Sequence, residues 1–398
     1  MRTSGCSQGS YAHNEPMTLP PYRSYVEISR GRLQSNLHAV QAAVGPGVEV
    51  VGVVKADAYG HGAVAVSRIL EEAGARWLAV SSVDEGVALR EAGVQTRILV
   101  MAGFLAYERE ALLAYRLTPA VHSAEDLASL DEYARTAGQE AVCHLKIDTG
   151  MGRLGSRAAI PELAGVLAGC KIVRLEGLMT HFASAADCDS LQTIHQTEAF
   201  LESLGALQRN GVDPLYRHLS STNAIAYARH ERWREDVWQN MVRPGHALYG
   251  YVSPARGTAP APVLRVQPVL TWKAKILMVK DVPEGALIGY GGSYRATRPM
   301  RLGVLALGYA DGLPHRLSNR GRVIAGGRFA PILGTVSMDL TTIDLTQAPQ
   351  LGPGDAVTIL GAEQGIRQDA QQIARVAGTI SYNVLCGIGG RVQRLYVG

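Results

Sequence analysis

Between residues 48 and 251, apolar runs alternate with amphipathic stretches, and the alternation predicts strands and helices in turn. The apolar runs fall at 48–55, 77–82, 97–101, 118–122, 141–148, 173–181, 216–221 and 240–243. Short continuous runs of this kind read as strands buried on both faces. Helical spacing, with apolar residues three and four apart, occupies 63–73, 84–92, 104–115, 124–137, 160–168 and 190–209. Gly74, Gly93, Gly138 and Gly211 stand where helices should stop. Eight strands with helices between them predict a closed (β/α)8 TIM-like barrel. Alternation does not prove closure, so a doubly wound open sheet is the other reading. Residues 23–43 add a short extended piece and a helix ahead of the first barrel strand.

The pattern changes after Tyr251. Pro254, Pro260, Pro262 and Pro268 mark a linker. Short β-rich runs follow at 269–280, 286–290, 301–308, 321–325, 330–343 and 355–360, with one helix at 368–377. This predicts a second, mostly antiparallel β domain. The expected division is a mobile tail over 1–22, a barrel domain over 23–260 and a β domain over 261–398.

Composition narrows the class. The chain has 398 residues, 47% apolar and 19% charged, an ordinary globular mixture. The net charge of +4 is small and no basic block is visible, so nucleic-acid and membrane-surface partners are not expected. Five scattered cysteines (Cys6, Cys143, Cys170, Cys188, Cys386) form no CxxC. That speaks against a disulfide framework or a zinc site and fits a reducing compartment, the cytoplasm. No apolar run reaches about 18 residues, so no membrane span is expected. The polar first 22 residues lack the apolar core of a signal peptide.

Barrels of this type carry their chemistry at the carboxyl ends of the strands. The first barrel strand, in VGVVKADAYGHG, ends at Lys55. A partly desolvated lysine there is a candidate nucleophilic amine, or else a side chain snorkelling to the rim. HLKIDTGMGR places Lys146 and Asp148 at a strand end, with Arg153 in the loop beyond. LEGLMTHF ends at His181, YRHLSST at Ser220, Ser221 and Thr222, and the eighth strand at Arg243 in VRPGHALYG. Each of these has a structural explanation alone, but their convergence on one rim does not. The small, hydroxylated tips at Ser221, Thr222, Asn223 and Gly245 suit a phosphate. A lysine amine, a phosphate cradle and an arginine together suggest pyridoxal 5′-phosphate. An arginine facing the ring nitrogen cannot accept its proton, which favours racemisation over side reactions.

From about Tyr25 to Val397 the chain resembles the alanine racemase family of pyridoxal-phosphate fold type III. The resemblance is carried by VVKADAYGHG, LKIDTGMGRLG, VRPGHALYG, GYADG, SMD and ISY. It implies a homodimer acting on a small amino-acid substrate. Lys55 then forms the Schiff base, Tyr59 touches the phosphate, and Arg243 faces the pyridine nitrogen with His181 behind it. Ser221, Thr222, Gly245, His246 and Tyr382 match phosphate-binding positions. Arg153 matches a residue near the ring hydroxyl and the substrate carboxylate, and Lys146 a lysine that is often carbamylated. The second base is Tyr290, in IGYGGSY, reaching the barrel mouth of the partner subunit. Racemisation needs a proton removed from one face of Cα and another delivered to the opposite face, so two bases are expected. Lys55 would serve the D-face and Tyr290 the L-face. Tyr309 and Tyr382 would narrow the entrance, and Ser337, Met338 and Asp339 of the partner subunit would offer backbone N–H groups to the substrate carboxylate. The implied role is D-alanine supply for peptidoglycan.

Three departures from the family pattern stand out: Ser221-Thr222 for Asn-Ser, His246 for an aliphatic residue, and Ser337 for a frequent cysteine. None removes a catalytic group. The competing readings are a broad-specificity serine, lysine or arginine racemase, an amino-acid decarboxylase of the same fold, and a non-catalytic pyridoxal-phosphate carrier.

Overall fold

Residues 22–228 and 237–398 are described by a computed structural model. The tail expected over 1–22 falls almost wholly outside them. The first strand, β1 (Ser24–Ser29), leads into the helix Arg30–Val44. Eight strands of a parallel sheet follow: β2 (Glu49–Val53), β3 (Trp77–Val80), β4 (Arg97–Val100), β5 (Thr118–Val121), β6 (Ala141–Lys146), β7 (Val173–Met179), β8 (Tyr216–His218) and β9 (Met241–Val242). Each lies inside one of the predicted apolar runs. Val51, Leu78, Ile98, Leu99, Val121 and Leu145 are fully buried, as strands covered on both faces require. The strands pair in the order β8-β7-β6-β5-β4-β3-β2-β9. A parallel bridge between Ser221 and Arg243 joins the two ends, with the Arg243 amide donating to the Ser220 carbonyl at 2.9 Å. The open doubly wound alternative is therefore set aside, and the seam closes on two predicted site residues.

The second sheet begins with β10 (Leu270–Val282). A hairpin of β11 (Leu287–Ile288) and β12 (Tyr294–Arg295) is followed by β13 (Met300–Leu305), β14 (Arg322–Ala325), β15 (Arg328–Pro331), β16 (Thr341–Asp344), β17 (Ala356–Glu363), β18 (Ile366–Gln368) and β19 (Gln393–Val397). The sheet runs β15-β14-β17-β10-β1-β19, with β13, β16 and β18 attached. Only the β1–β19 pairing in it is parallel. The expected architecture, a TIM-like barrel followed by a mostly antiparallel β domain, is the one observed.

Several local expectations are corrected. The run 330–343 is two strands, because Gly334 takes φ +74° and the loop at 332–340 leaves the sheet before β16 pairs with β13. One element crosses the division drawn at 260/261. β1 pairs antiparallel with β10 and parallel with β19, so it belongs to the second sheet. A short helix, Ser381–Cys386, and the strand β19 were not anticipated. One apolar core runs through both sheets, while Ile288, Ala296, Met300, Leu302 and Leu333 form a small separate cluster under the β11–β12 hairpin.

Candidate active site

Lys55 leaves the barrel just after β2, and the chain then makes a left-handed turn. Ala56, Asp57, Ala58 and Tyr59 all have φ between +52° and +55°. A left-handed conformation costs a residue with a Cβ about 1–2 kcal/mol, so four in succession need support from outside. The Glu85 carboxylate accepts the Ala56 amide at 2.7 Å and, through its other oxygen, the Ser81 amide at 2.7 Å. Asp57 accepts the Ala63 amide at 2.7 Å. His61 Nδ1 faces the carbonyls of Ala58 and Tyr59 at 3.1 and 3.0 Å, which places its proton on that nitrogen. From β19, Arg394 donates to the Gly60 carbonyl and the Tyr396 hydroxyl to that of His61. The lysine is thus aimed by a strained turn clamped on several sides. Burial, followed by the charge of Arg153, holds its pKa below the ordinary lysine value.

Lys55 lines a cavity of about 560 Å³ where the strands open. Tyr59, Lys146, Arg153, His181, Ser221, Thr222, Arg243, Gly245, His246 and Tyr382 line the same cavity. Residues from five strand ends and from the helix Ser381–Cys386 therefore meet around one space.

Arg243 is buried and, among the described residues, bonds to no carboxylate. Its Nη1 donates to His218 Nδ1 at 2.8 Å and the His218 carbonyl at 2.9 Å. Its Nη2 meets the carbonyls of Thr180 and Leu219 at 2.6 and 3.1 Å and His181 Nδ1 at 3.3 Å. Among the described residues no acceptor meets the remaining Nε–H. Burial brings its pKa down to about 9. Burial and then Arg243 push His181 down to about 3, so it is a neutral imidazole. Lys146 is lowered to about 8, first by burial and then by Arg243 and Arg153.

The hydroxylated rim is built around Thr222. Its Oγ1 accepts the amides of Gly245 and Ala247 at 3.2 and 3.1 Å. With both lone pairs engaged, the hydroxyl proton is left to donate. A side chain at Gly245 would run into the Tyr59 hydroxyl. The bulk of His246 is absorbed by packing. Its ring stacks on Tyr382 with centroids 3.8 Å apart at 14°, and its Nε2 lies 2.9 Å from Ser381 Oγ.

Tyr290, Tyr309, Met338 and Asp339 do not line this cavity in their own chain. They lie on joined loops of the β domain. The Tyr309 amide donates to the Ser337 carbonyl at 2.9 Å and the Ala310 amide to that of Met338 at 3.0 Å. Thr335 Oγ1 lies 3.5 Å from the Tyr290 carbonyl. Tyr290 is 75% exposed, Met338 54% and Tyr309 45%.

Three residues escaped sequence reasoning. His218 sits two positions before Ser220, and so on the same face of its strand. Cys386 lines the cavity one helical turn beyond Tyr382. Glu85 was legible only as a residue three positions after the helix cap Ser82.

Two family models cover the chain. Residues 28–254 match "Alanine racemase, N-terminal domain" and 269–396 match "Alanine racemase, C-terminal domain". The chain is 40% identical over 387 residues to an alanine racemase of Halothermothrix orenii, covering 96% of this chain and 98% of that one. Among solved structures it is similar to the alanine racemase of D-cycloserine-producing Streptomyces lavendulae. That match has a TM-score of 0.87 at 33% identity, over 95% of this chain and 98% of the other. It is also similar to the alanine racemase of Bartonella henselae with covalently bound pyridoxal phosphate, with a TM-score of 0.82 at 25% identity, over 95% and 100% of the two chains.

Proposed function

The chain belongs to the alanine racemase family, and from that premise we propose that it interconverts L- and D-alanine with pyridoxal 5′-phosphate in a homodimer. The observation that carries the proposal is a single cavity holding a depressed-pKa lysine, a buried arginine that meets no carboxylate among the described residues, and a hydroxylated rim. These residues fit the cofactor: Lys55 for its aldehyde, Arg243 with an uncommitted Nε–H for its ring nitrogen, and Thr222, Ser221, Tyr59, Tyr382 and the His246 amide for its phosphate, with Gly245, whose amide Thr222 holds, leaving room for a close approach. When bound, the cofactor withdraws electrons from the substrate Cα and acidifies its hydrogen.

The chain's own groups do the rest. Lys55, whose ammonium form is disfavoured by burial, moves the proton on one face of Cα. Arg243 cannot accept a proton at the ring nitrogen and so limits how far charge is drawn away. Arg153 receives the substrate carboxylate. Tyr290 of the partner subunit serves the other face, with Tyr309, Met338 and Asp339 at the entrance. This assignment to the partner is supported by the exposure of Tyr290, Tyr309 and Met338 on one patch, since exposed apolar clusters mark contact surfaces. The bacterial sources of the relatives support D-alanine supply for peptidoglycan in the cytoplasm. No helix among the described residues is long and apolar enough to cross a membrane.

Mixing two inactive variants tests the arrangement. Lys55→Ala and Tyr290→Phe homodimers should each lose most activity. Their hybrid dimers should regain it, because one of the two sites then combines an intact lysine with an intact tyrosine. Unrecovered activity in verified hybrids would overturn the shared site.

A further inference from the structure

The barrel interior below Arg243 is polar where such barrels usually pack branched aliphatic side chains. His218 Nε2 lies 2.8 Å from His144 Nδ1. His144 Nε2 lies 3.7 Å from Glu176 Oε2, beyond hydrogen-bond length but close enough for the carboxylate charge to orient an N–H dipole. Glu176 is gripped by both terminal nitrogens of Arg97 at 2.9 and 2.6 Å, and Arg97 lies over the Trp77 ring at 3.9 Å. Both imidazoles are fully buried. The connection thus runs from the cavity, through β8, β6 and β7, to β4.

We propose that Glu176 and Arg97 are positioning residues for Arg243, acting through His144 and His218 to fix the imidazole protons and the guanidinium charge. The inference rests on the reading of Arg243 as the group facing the cofactor ring.

Proton counting sets the direction. A guanidinium only donates, so His218 Nδ1, which meets Nη1, must carry the lone pair. The His218 proton is then on Nε2 and is donated to His144 Nδ1. The His144 proton is therefore also on Nε2, aimed at Glu176. The reverse order would set an N–H of His218 against an N–H of Arg243 at 2.8 Å. Three of the acceptors around Arg243 are neutral carbonyls, and the groups that depress Lys146 beside it are cations. Glu176 is the carboxylate reached through this line of side chains, and Arg97 holds it ionised with a two-pronged grip. A buried polar line of this kind is costly unless every member is satisfied. Removing the acceptor at its far end should therefore be felt at the near end.

The test uses the full-length protein with histidine labelled in both ring nitrogens, read by long-range nitrogen–proton NMR. In the wild type, His144 and His218 are expected as neutral rings with the proton on Nε2. Glu176→Gln, which keeps the shape, should mix the His144 tautomers. It should also lower kcat for alanine about 10- to 100-fold, the size of effect known for losing the outer hydrogen-bond partner of a metal-bound histidine, with little change in KM. Glu176→Asp should restore part of both. A wild-type spectrum with the proton on Nδ1 of either ring would overturn the proposal, and that reading stands even if Glu176→Gln fails to fold. So would a folded Glu176→Gln with unchanged tautomers and wild-type kcat. The tautomers are read without turnover, so this result is separable from whether the protein racemises alanine.

Discussion

Lys146 shows how far one residue's chemistry depends on its neighbours. It is buried beside Arg243, Arg153 and Lys55, with Asp148 the opposing charge. The Asp148 carboxylate is already engaged by the amides of Gly150, Met151 and Gly152 and by Arg157. The lysine therefore loses its proton near pH 8 in the folded chain and near its ordinary value when unfolded. Between those values the unfolded chain binds more protons, so this group's contribution to stability rises with pH from about 8 upward. Relative to Lys146→Met, the wild type should gain stability between pH 8 and pH 10 in urea titrations. A neutral amine among cations is also placed to capture carbon dioxide as an anionic carbamate. Intact mass in bicarbonate at alkaline pH should show one added carbon dioxide in the wild type and none in the variant. The amine and Arg153 were legible together in LKIDTGMGR, but its other two cationic neighbours, Lys55 and Arg243, come from other strand ends.

At the scale of the element, the left-handed turn after Lys55 is the least predictable feature of the site. Local propensity argues against it at Ala56, Asp57, Ala58 and Tyr59, and partners from 29 to more than 300 residues away along the chain stabilise it. Gly60 completes the turn at φ +79°, and a side chain there would meet the Leu385 carbonyl. Gly60→Ala should therefore cost about 1–3 kcal/mol. Gly138, at φ +66° with open space around it, is the control, since its replacement carries the backbone cost without the collision. Thermal unfolding should show a larger loss for Gly60→Ala. Equal losses would mean that the contact with the Ser381–Cys386 helix is not felt. The helix itself followed from the motif ISY only as a site marker, because six residues are too few to show a helical period.

At the scale of the molecule, the two sheets are built to hold one loop. β1 precedes the barrel yet pairs with β10 and β19, so the first and last strands of the described residues lie side by side. From β19, Arg394 binds the Gly60 carbonyl together with those of Ile388, Gly389 and Val392. The strand β19 thus reaches the lysine loop without itself lining the cavity. Arg394→Met should weaken retention of pyridoxal 5′-phosphate about tenfold, equivalent to about 1.4 kcal/mol, with kcat at saturating cofactor little changed. Titration of cofactor-free protein checks this, and wild-type affinity would separate β19 from the site.

The amino-acid sequence by itself determined the elements and the chemistry at their ends. Strand and helix periods are local, and the barrel rule converts each strand end into a position on one rim. Lys55, Lys146, His181, Thr222 and Arg243 are therefore grouped by the sequence alone. The tertiary structure decided what depends on pairing across the chain. It closed the barrel at Ser221 and Arg243, moved β1 into the second sheet, forced the left-handed turn, and lined His218, His144 and Glu176 beneath the arginine. Each of these is settled by contacts between residues distant in sequence, whose burial outweighs the local preference that sequence reading detects.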